Sequence, residues 1–586
     1  MVDPEEIPRF GRDFFTSADV ASRIGTGRLG GKAEGLLRIR HAVARHFAEH
    51  PVRDVRVDIP RMVVVATDGF RDFMESGKLY EVALSDAPDD RIAHAFLKTD
   101  LPTALLGDLR ALVEEVHTPL AVRSSSLLED ALAHPFAGVY ETKMVPNNHP
   151  DANVRFRALV EAVKLVYASV FFRAARSYRK AVGAADRDEA MAVVIQEVVG
   201  TRYGNRFYPG FSAVCRSFTY YPTGNARPED GVAQLALGLG KAIVDGGVCW
   251  SYSPRFPMSP PPFGSPRSML KETQTRFWAV NMGKPPAYDP VAETEYLVEG
   301  GLEDAEYDGT LRYVASTYDP TSDRLHPGTG RDGPRVLDFA PLLRLREWPV
   351  NDALADLLGV AAEALGQPAE IEVAGTLPSA SDGQVRVGLV QVRAMAAPGA
   401  EVDVSEADLV APGLLLSSRK VMGNGVEDTV RDVVYIKPDA FEARETRRMA
   451  AEVDALNRTL LDQGRPYMLV GFGRWGSSDP WLGVPVTWGQ VAGARVMVEA
   501  TLPHVRIEPS QGSHFFHNVS SLGVFYFSSD ATAPTVLDWD ALARLPAETE
   551  TGFFRHLRLS AALRVKVDGR TGRGYVGWGT NLEETT

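Results

Sequence analysis

The sequence predicts an α/β protein built in two parts, and three observations predict it. Short runs rich in β-branched residues alternate with stretches whose apolar residues recur every three or four positions, the periods of strand and helix. The 586 residues suffice for about three to four structural units at roughly 150 residues each. A Pro/Gly-containing stretch, AAPGAEV at 396–402, separates a larger part (1–396) from a smaller mixed α/β part (403–586).

The elements follow in order. A glycine-rich turn, TGRLGGK, opens a helix that carries the pattern AEGLLRIRHAVARHFAEH. VDIPRMVVV at 57–65 reads as one strand, with Val63, Val64 and Val65 in a row as in strands buried on both faces. Helices are expected at 69–78 and 103–117, and PLAVRSSS is a strand running into a serine-rich turn. Residues 151–180 read as one long helix, with Leu159, Val163, Val166 and Val170 at helical spacing. MAVVIQEVV at 191–199 is a strand by β-branched content, and 211–220 and 231–237 are further strands. A second glycine turn, GLGKAIVDGG, follows at 238–247, and prolines at 253–267 mark a loop-like insertion. A hairpin with Asp319-Pro320 at its turn is expected within 309–325. A helix at 351–366 precedes two strands, AEIEVAG and VRVGLVQVRAM, joined through Asp382 and Gly383. Another helix covers about 440–464.

Composition limits the function classes. Hydrophobic residues at 45% and charged residues at 24% exclude a disordered chain. A net charge of −13 argues against a nucleic-acid partner, which requires a basic footprint. Cys215 and Cys249 sit in apolar, strand-like surroundings and read as two buried reduced thiols, without a disulfide framework or zinc site. MVDPEEIPRF lacks the basic and apolar regions of a signal peptide, and no run of about 18 apolar residues suggests a membrane span. A cytoplasmic location is therefore expected, with no membrane partner; oligomeric state is not legible.

Five segments offer groups suited to polyphosphate. Backbone N–H groups, fixed cations and oxygen ligands for magnesium are what phosphoryl transfer demands. Gly27-Arg28-Leu29-Gly30-Gly31-Lys32 opens a helix and lets backbone approach an anion, with Lys32 as a point charge. It lacks the spacing of a Walker A loop and serves equally as a plain capping turn. Arg123 ends a strand before Ser124, Ser125 and Ser126, as in a phosphate clamp; a surface ion pair with Glu129 or Asp130 is the other reading. Gln196, Glu197 and Val199 close an apolar strand, where a polar pair can meet an adenine or ribose edge or simply face solvent. Gly238 and Gly240 form the second glycine turn, uninformative alone. Alternation places Glu370 with Glu372, and Gln391 with Arg393, on one face of each strand. Paired strands would gather carboxylates, an amide oxygen and a guanidinium, or merely form the polar face of a hairpin.

In order along residues 25–396, about two thirds of the chain, these segments carry a resemblance. LGGKAEGL, VDIPRMVVVATDGFRDF, VRSSSLLEDALAHPFAGVYETK, YASVFFRAARSYR, VIQEVV, GLGKAIVDGG, EIEVA and LVQVRAM resemble the ATP-binding domain of phosphoenolpyruvate synthase, pyruvate phosphate dikinase and rifampin phosphotransferase. The resemblance implies a two-lobed ATP-grasp fold with ATP between the lobes. It implies Lys32 and Arg123 as phosphate-binding cations, Glu370, Glu372 and Gln391 as the magnesium and phosphate group, and Glu372 and Gln391 as the Mg²⁺ ligands. Arg393 becomes a second guanidinium acting on the transferring phosphoryl, and Arg123 and Arg393 the catalytic cations. Gln196, Glu197 and Val199, with the turn at Gly238 and Gly240, fall among the nucleotide contacts.

The family pattern also breaks. Its GG-x-T-S-H-A phosphohistidine motif is absent from these residues, and no room is left for the phosphoenolpyruvate-binding barrel, so a complete phosphoenolpyruvate synthase is not expected. The C-terminal part instead carries GFGRWGSSD at 471–479 and SQGSHFFHN at 510–518, which resemble the tails of phosphoenolpyruvate/pyruvate-binding-domain proteins, a likeness that implies no established chemistry. GFGRWGSSD reads as another anion-binding turn. His514 reads as a phosphoryl acceptor or general base, or with His517 as a structural histidine in a packed aromatic loop. The expected function is an ATP-dependent phosphotransferase acting on a small molecule, on a histidine of this chain, or on a partner protein carrying a phosphorylatable group. The alternatives are an ATP-responsive regulatory module without catalysis and an ATP-grasp ligase.

Overall fold

The computed structural model describes residues 6–126, 139–182, 189–219, 222, 225–245, 247–259, 265–378, 383–395, 402–477, 481–501, 523–529 and 537–579. In chain order, the elements that frame the site are β1 (Ala21–Ile24), α1 (Gly31–Glu49), β2 (Val55–Asp58), β3 (Met62–Val65), β4 (Leu120–Ser126), β5 (Thr142–Val145), α2 (Ala152–Ser169), α3 (Arg173–Val182), β6 (Met191–Glu197), β7 (Phe211–Arg216), β8 (Val232–Ala236), β9 (Trp250–Tyr252), β10 (Ala369–Thr376) and β11 (Val385–Ala394). In the C-terminal part they are β12 (Asp432–Ile436), α4 (Thr446–Asp462), β13 (Tyr467–Phe472), β14 (Ala494–Ala500) and β15 (Phe525–Ser529).

A mixed five-stranded sheet, in the order β1-β3-β6-β4-β5, divides two hydrophobic cores. Val63 and Val65 of β3 pack into the first core with Phe70, Leu109 and Leu159 from the helices. Met62 and Val64 point the other way, into a second core with Leu36 and Leu37 of α1. A strand covered on both faces is apolar at every position, which is why β3 reads MVVV. The second core is built on a six-stranded sheet, β9-β8-β7-β10-β11-β2, packed by α1 and the helix Val350–Leu365. A four-stranded sheet of Leu297–Gly301, Arg276–Asn281, Arg206–Tyr208 and Thr201–Tyr203 stands beside it.

Several expected elements differ. The stretch 57–65 is not one strand: β2 belongs to the six-stranded sheet and β3 to the five-stranded one. Pro60, which has no N–H to give a ladder, lies at the crossing between them. The helix expected over 151–180 breaks after Ser169, and Val170, Phe171 and Phe172 turn into the first core. Arg179 Nη2 donates to the Val170 carbonyl at 2.7 Å, satisfying an acceptor at the break. The glycine turn at 238–247 includes a short helical turn, Lys241–Val244. Cys215 is buried as expected and Cys249 is only half-buried; both are free thiols. Asp382 lies outside the described residues.

The C-terminal part has its own sheet. β12, β13, β14 and β15 run parallel in sequential order within a seven-stranded sheet. One face of that sheet contributes Val433, Met468, Val470 and Val498 to a separate core. The other packs under α4, whose Met449, Val453 and Leu460 join the first core of the N-terminal part. No described helix is long and apolar enough to cross a membrane.

Candidate functional site

The register of one hairpin assembles the densest charge cluster at the expected site. β10 and β11 pair so that Glu370 lies opposite Arg393 and Glu372 opposite Gln391. Alternation then directs the four side chains to a common face. Arg393 Nε donates to Glu370 Oε1 at 2.6 Å, and its Nη2 lies 3.9 Å from Glu372 Oε1. β7 lies on the other side of β10 with Arg216 opposite Glu370, and the Arg216 Nε–H donates to the second carboxylate oxygen. Arg123 reaches in from the five-stranded sheet. It donates to the Gln391 side-chain oxygen and, at 2.6 Å, to the Val390 carbonyl, with Glu372 Oε2 at 3.5 Å. Among the described residues, three guanidiniums thus meet two carboxylates, three minus two giving an excess of one positive charge within this set. The side chains of Arg393 and Glu370 are 3% and 1% exposed, so water screens this excess little.

The glycine turn is fastened to β4 beside Arg123. Gly30 has φ 77°, and a Cβ there would fall 1.8 Å from the Ser125 carbonyl oxygen, so only glycine fits. Ser125 Oγ donates to Leu29 O at 2.9 Å and accepts from Ala33 N–H at 3.2 Å. Ser124 accepts from Lys32 Nζ at 2.9 Å. These two serines therefore act as fasteners that hold the start of α1, and Lys32 with it, against the strand that carries Arg123. Residues 127–138, including Glu129 and Asp130, lie outside the described residues.

The strand end at 196–199 leaves the five-stranded sheet and meets the six-stranded one at Gly388. Gln196, buried, accepts from Arg123 Nη1 at 3.4 Å and donates to Pro60 O at 3.4 Å. Burial raises the Glu197 carboxyl above its ordinary range, a shift eased by Arg386 and Arg61. Val199 is buried, and its side chain occupies the space where a Cβ on Gly388 would go. Next to this crossing lies a small apolar cluster: Phe207, Leu239, Val280 and Met282, with Met144, Val198 and Trp278 partly exposed around it. The turn of Gly238 and Gly240 delivers Leu239 to that cluster. Gly238 has φ 81° and would, with a Cβ, strike the Trp278 carbonyl at 2.6 Å. Gly238 is thus set by backbone approach, whereas Gly240, with φ −59° and Ser212 at 3.7 Å, is not.

Four further groups are not singled out by sequence pattern. Arg216 ends an apolar strand, FSAVCR, and only its register against Glu370 reveals its role. Lys143 of β5 forms an ion pair with Glu295 at 2.7 Å, both side chains 2% exposed, and donates to Pro290 O and Ala292 O at 3.0 and 2.7 Å. Lys241 pairs with Glu293 at 2.7 Å. Between these pairs, burial and the Glu293 charge push the Glu141 carboxyl up to about 7, opposed by Lys241 and Lys143.

The C-terminal turn differs from its expected chemistry. The N–H groups of Gly473, Arg474, Trp475 and Gly476 donate to Ala500 O, Leu482 O, Glu499 Oε1 and Val484 O respectively. Over 473–476 the amides are thus already committed, one of them to a carboxylate of the same chain, and these four do not form an anion cradle. Asp432, Glu548 and His556 approach one another closely enough to suggest a metal site. Arg465 already bridges both carboxylates, at 2.8–2.9 Å to Glu548, and His556 Nε2 lies 2.8 Å from Asp432. Depressed carboxyl pKa values at Asp432 and Glu548 follow from these partners. His514 and His517, with Ser478 and Asp479, lie outside the described residues.

The pyruvate phosphate dikinase AMP/ATP-binding domain model matches residues 26–396. Among curated proteins, a rifampicin phosphotransferase of Streptomyces sviceus is 29% identical over 205 residues, covering 32% of this chain and 22% of the relative. The prodigiosin synthesizing transferase PigC of Serratia marcescens is 29% identical over 225 residues, 38% of this chain and 21% of its own length. A phosphoenolpyruvate synthase of Aeropyrum pernix is 28% identical over 213 residues, 33% of this chain and 24% of its own. The chain spans between a fifth and a quarter of the length of these relatives.

Proposed function

Because the chain belongs to the pyruvate phosphate dikinase AMP/ATP-binding domain family over residues 26–396, we propose that it is an ATP-dependent phosphotransferase that moves a phosphoryl group from Mg-ATP to an acceptor. One observation supports the reading: a buried cluster of guanidiniums and carboxylates, formed where Arg123 of the five-stranded sheet meets the β10–β11 hairpin of the six-stranded one. Such preorganised charge, shielded from water, stabilises the equatorial oxygens of a transferring phosphoryl. Arg123 and Arg393 take the phosphate contacts, with Lys32 beside them at the start of α1. Arg216 acts through Glu370, bracing the carboxylate that orients Arg393.

Glu372 and Gln391 suit Mg²⁺. They present a carboxylate and an amide oxygen, hard donors of the kind this ion prefers, and both face the same guanidinium. When bound, the ion supplies charge neutralisation between nucleotide phosphates. The apolar cluster of Leu239, Val198, Met144 and Trp278 suits the adenine ring, and the crossing at Gln196, Glu197 and Val199 its polar edge and ribose. The acceptor is a small molecule or a phosphorylatable protein side chain. ATP consumption with identification of ADP or AMP, in a metabolite extract as acceptor pool, tests the reading. Wild type, Arg123→Ala and Glu372→Gln are compared; equal consumption by all three overturns it.

A further inference from the structure

Arg216 brings to the site a hydrogen-bond donor that the fold leaves unused among the described residues. It ends β7 and lies opposite Glu370 of β10 on one side and Val232 of β8 on the other. Opposed residues of antiparallel strands share a face, so its side chain stands in one row with Glu370 and Arg393. Glu370 divides its two oxygens between them: Oε1 accepts from Arg393 and Oε2 from Arg216 Nε. Val232 offers no side-chain acceptor on the other flank. Arg216 Nη2 is enclosed and makes no hydrogen bond among the described residues, and the whole side chain is only 8% exposed. A guanidinium has five N–H donors and no acceptor, and a donor buried without a partner destabilises the fold unless something else accepts from it. Bracing Glu370 therefore accounts for Nε and leaves Nη2 unexplained.

The place of the row in the sheet indicates what accepts from it. Counted from the crossing at Val199 and Gly388, β11 runs Gly388, Gln391, Arg393, and its partners on β10 run Ala374, Glu372, Glu370. A nucleotide with its base end at that crossing and its Mg²⁺ at Glu372 and Gln391 points its phosphates toward the Arg393–Glu370–Arg216 row. We propose that Arg216 is a third oxyanion-binding guanidinium, with Nη2 donating to a phosphoryl-type oxygen held at this row. This rests on the ATP-site reading and deepens it. The oxygen belongs to the nucleotide's phosphate tail or to a second anionic substrate beside it. Arginine suits either, because its planar fork holds a carboxylate oxygen and a ligand oxygen through separate nitrogens.

Calorimetry with adenosine, with Mg-ATP, and with inorganic phosphate added to the nucleotide-loaded protein tests this. Arg216→Met is compared with wild type, and Arg216→Met/Glu370→Gln with Glu370→Gln alone. The second pair separates contact from bracing: without the carboxylate, nothing passes from Arg216 through Glu370 to Arg393. The expected result is an affinity loss of about tenfold in both pairs, equal to about 1.4 kcal/mol, with adenosine unchanged. A loss for Mg-ATP places the oxyanion on the nucleotide; a loss confined to phosphate places it on a second substrate. A loss in the first pair only, an equal loss for adenosine, no loss for either anion, or no anion binding left in Glu370→Gln overturns the inference. Where Arg216→Met lowers the folded fraction, seen by circular dichroism, Arg216→Lys takes its place in both pairs and the same outcomes apply. If wild type binds no nucleotide, the proposed function fails, and phosphate titrated into the free protein decides on Arg216: unchanged or absent phosphate binding overturns the inference.

Discussion

Two charge networks, one in each part of the molecule, are built from similar residues and placed differently. In the ATP-binding part, Arg123, Arg216 and Arg393 share Glu370 and Glu372. In the C-terminal part, Arg465 and His556 face Asp432 and Glu548. The second set gathers around the strands of one sheet. The first draws Arg123 from one sheet onto side chains of another. A network within one sheet ties that sheet together; one that spans two sheets also lines the space between them. Residue types alone do not separate the two, but noting which elements supply them does.

The largest expected effect tests that contrast directly. Arg393→Ala removes the cation nearest Glu370 and should lower ATP turnover by about a thousandfold, read by steady-state kinetics. A loss under about tenfold breaks the comparison. Arg465→Met should do the opposite. It leaves Asp432 and Glu548 without their shared partner and costs about 3 kcal/mol of stability, seen as a lower urea midpoint, while turnover per folded molecule holds. A fall in turnover there would move the second network into the functional site.

Smaller effects sharpen the picture. The Glu141 carboxyl, raised from an ordinary 4.5 to about 7, binds its proton more tightly in the folded state. Stability from this group is therefore present below pH 4.5 and declines as pH rises through 7. In Glu141→Gln that decline should disappear, giving a gain of about 3 kcal/mol at pH 8 relative to wild type by denaturation. Parallel curves for the two proteins would show that Glu141 is not held protonated between the Lys143 and Lys241 ion pairs. The smallest effect is expected at the apolar cluster, where Trp278→Ala should weaken ATP binding about fivefold, roughly 1 kcal/mol, by calorimetry.

Much of the first network is legible in the sequence, because a period of two along β10 and β11 puts Glu370, Glu372, Gln391 and Arg393 on shared faces. Arg216 is not, because its strand is otherwise apolar and only pairing register brings it to Glu370. The same limit merged β2 and β3: an apolar run shows that a stretch is extended, not which sheet it joins. The GFGR turn illustrates the converse. Its glycines and arginine have the composition of an anion site, yet the anion that satisfies Trp475 N–H is Glu499 of the same chain, 24 residues on. Local pattern describes a capacity, and tertiary partners decide how it is used.

Arg123 and Gln391, which meet at the heart of the site, are 268 positions apart in the chain. On a ribosome adding about 5–20 residues per second, Arg123 emerges roughly 15–50 s before its partner exists. Arg216 likewise waits for Glu370, 154 positions later. Through much of synthesis the growing chain therefore carries Arg123 and Arg216 without the β10–β11 partners they meet in the finished fold. Only completion of the β10–β11 hairpin, near the end of the ATP-binding part, assembles the cluster. A truncation or stall before that hairpin should leave this cluster unassembled, and the first core also waits for Met449, Val453 and Leu460, made later still.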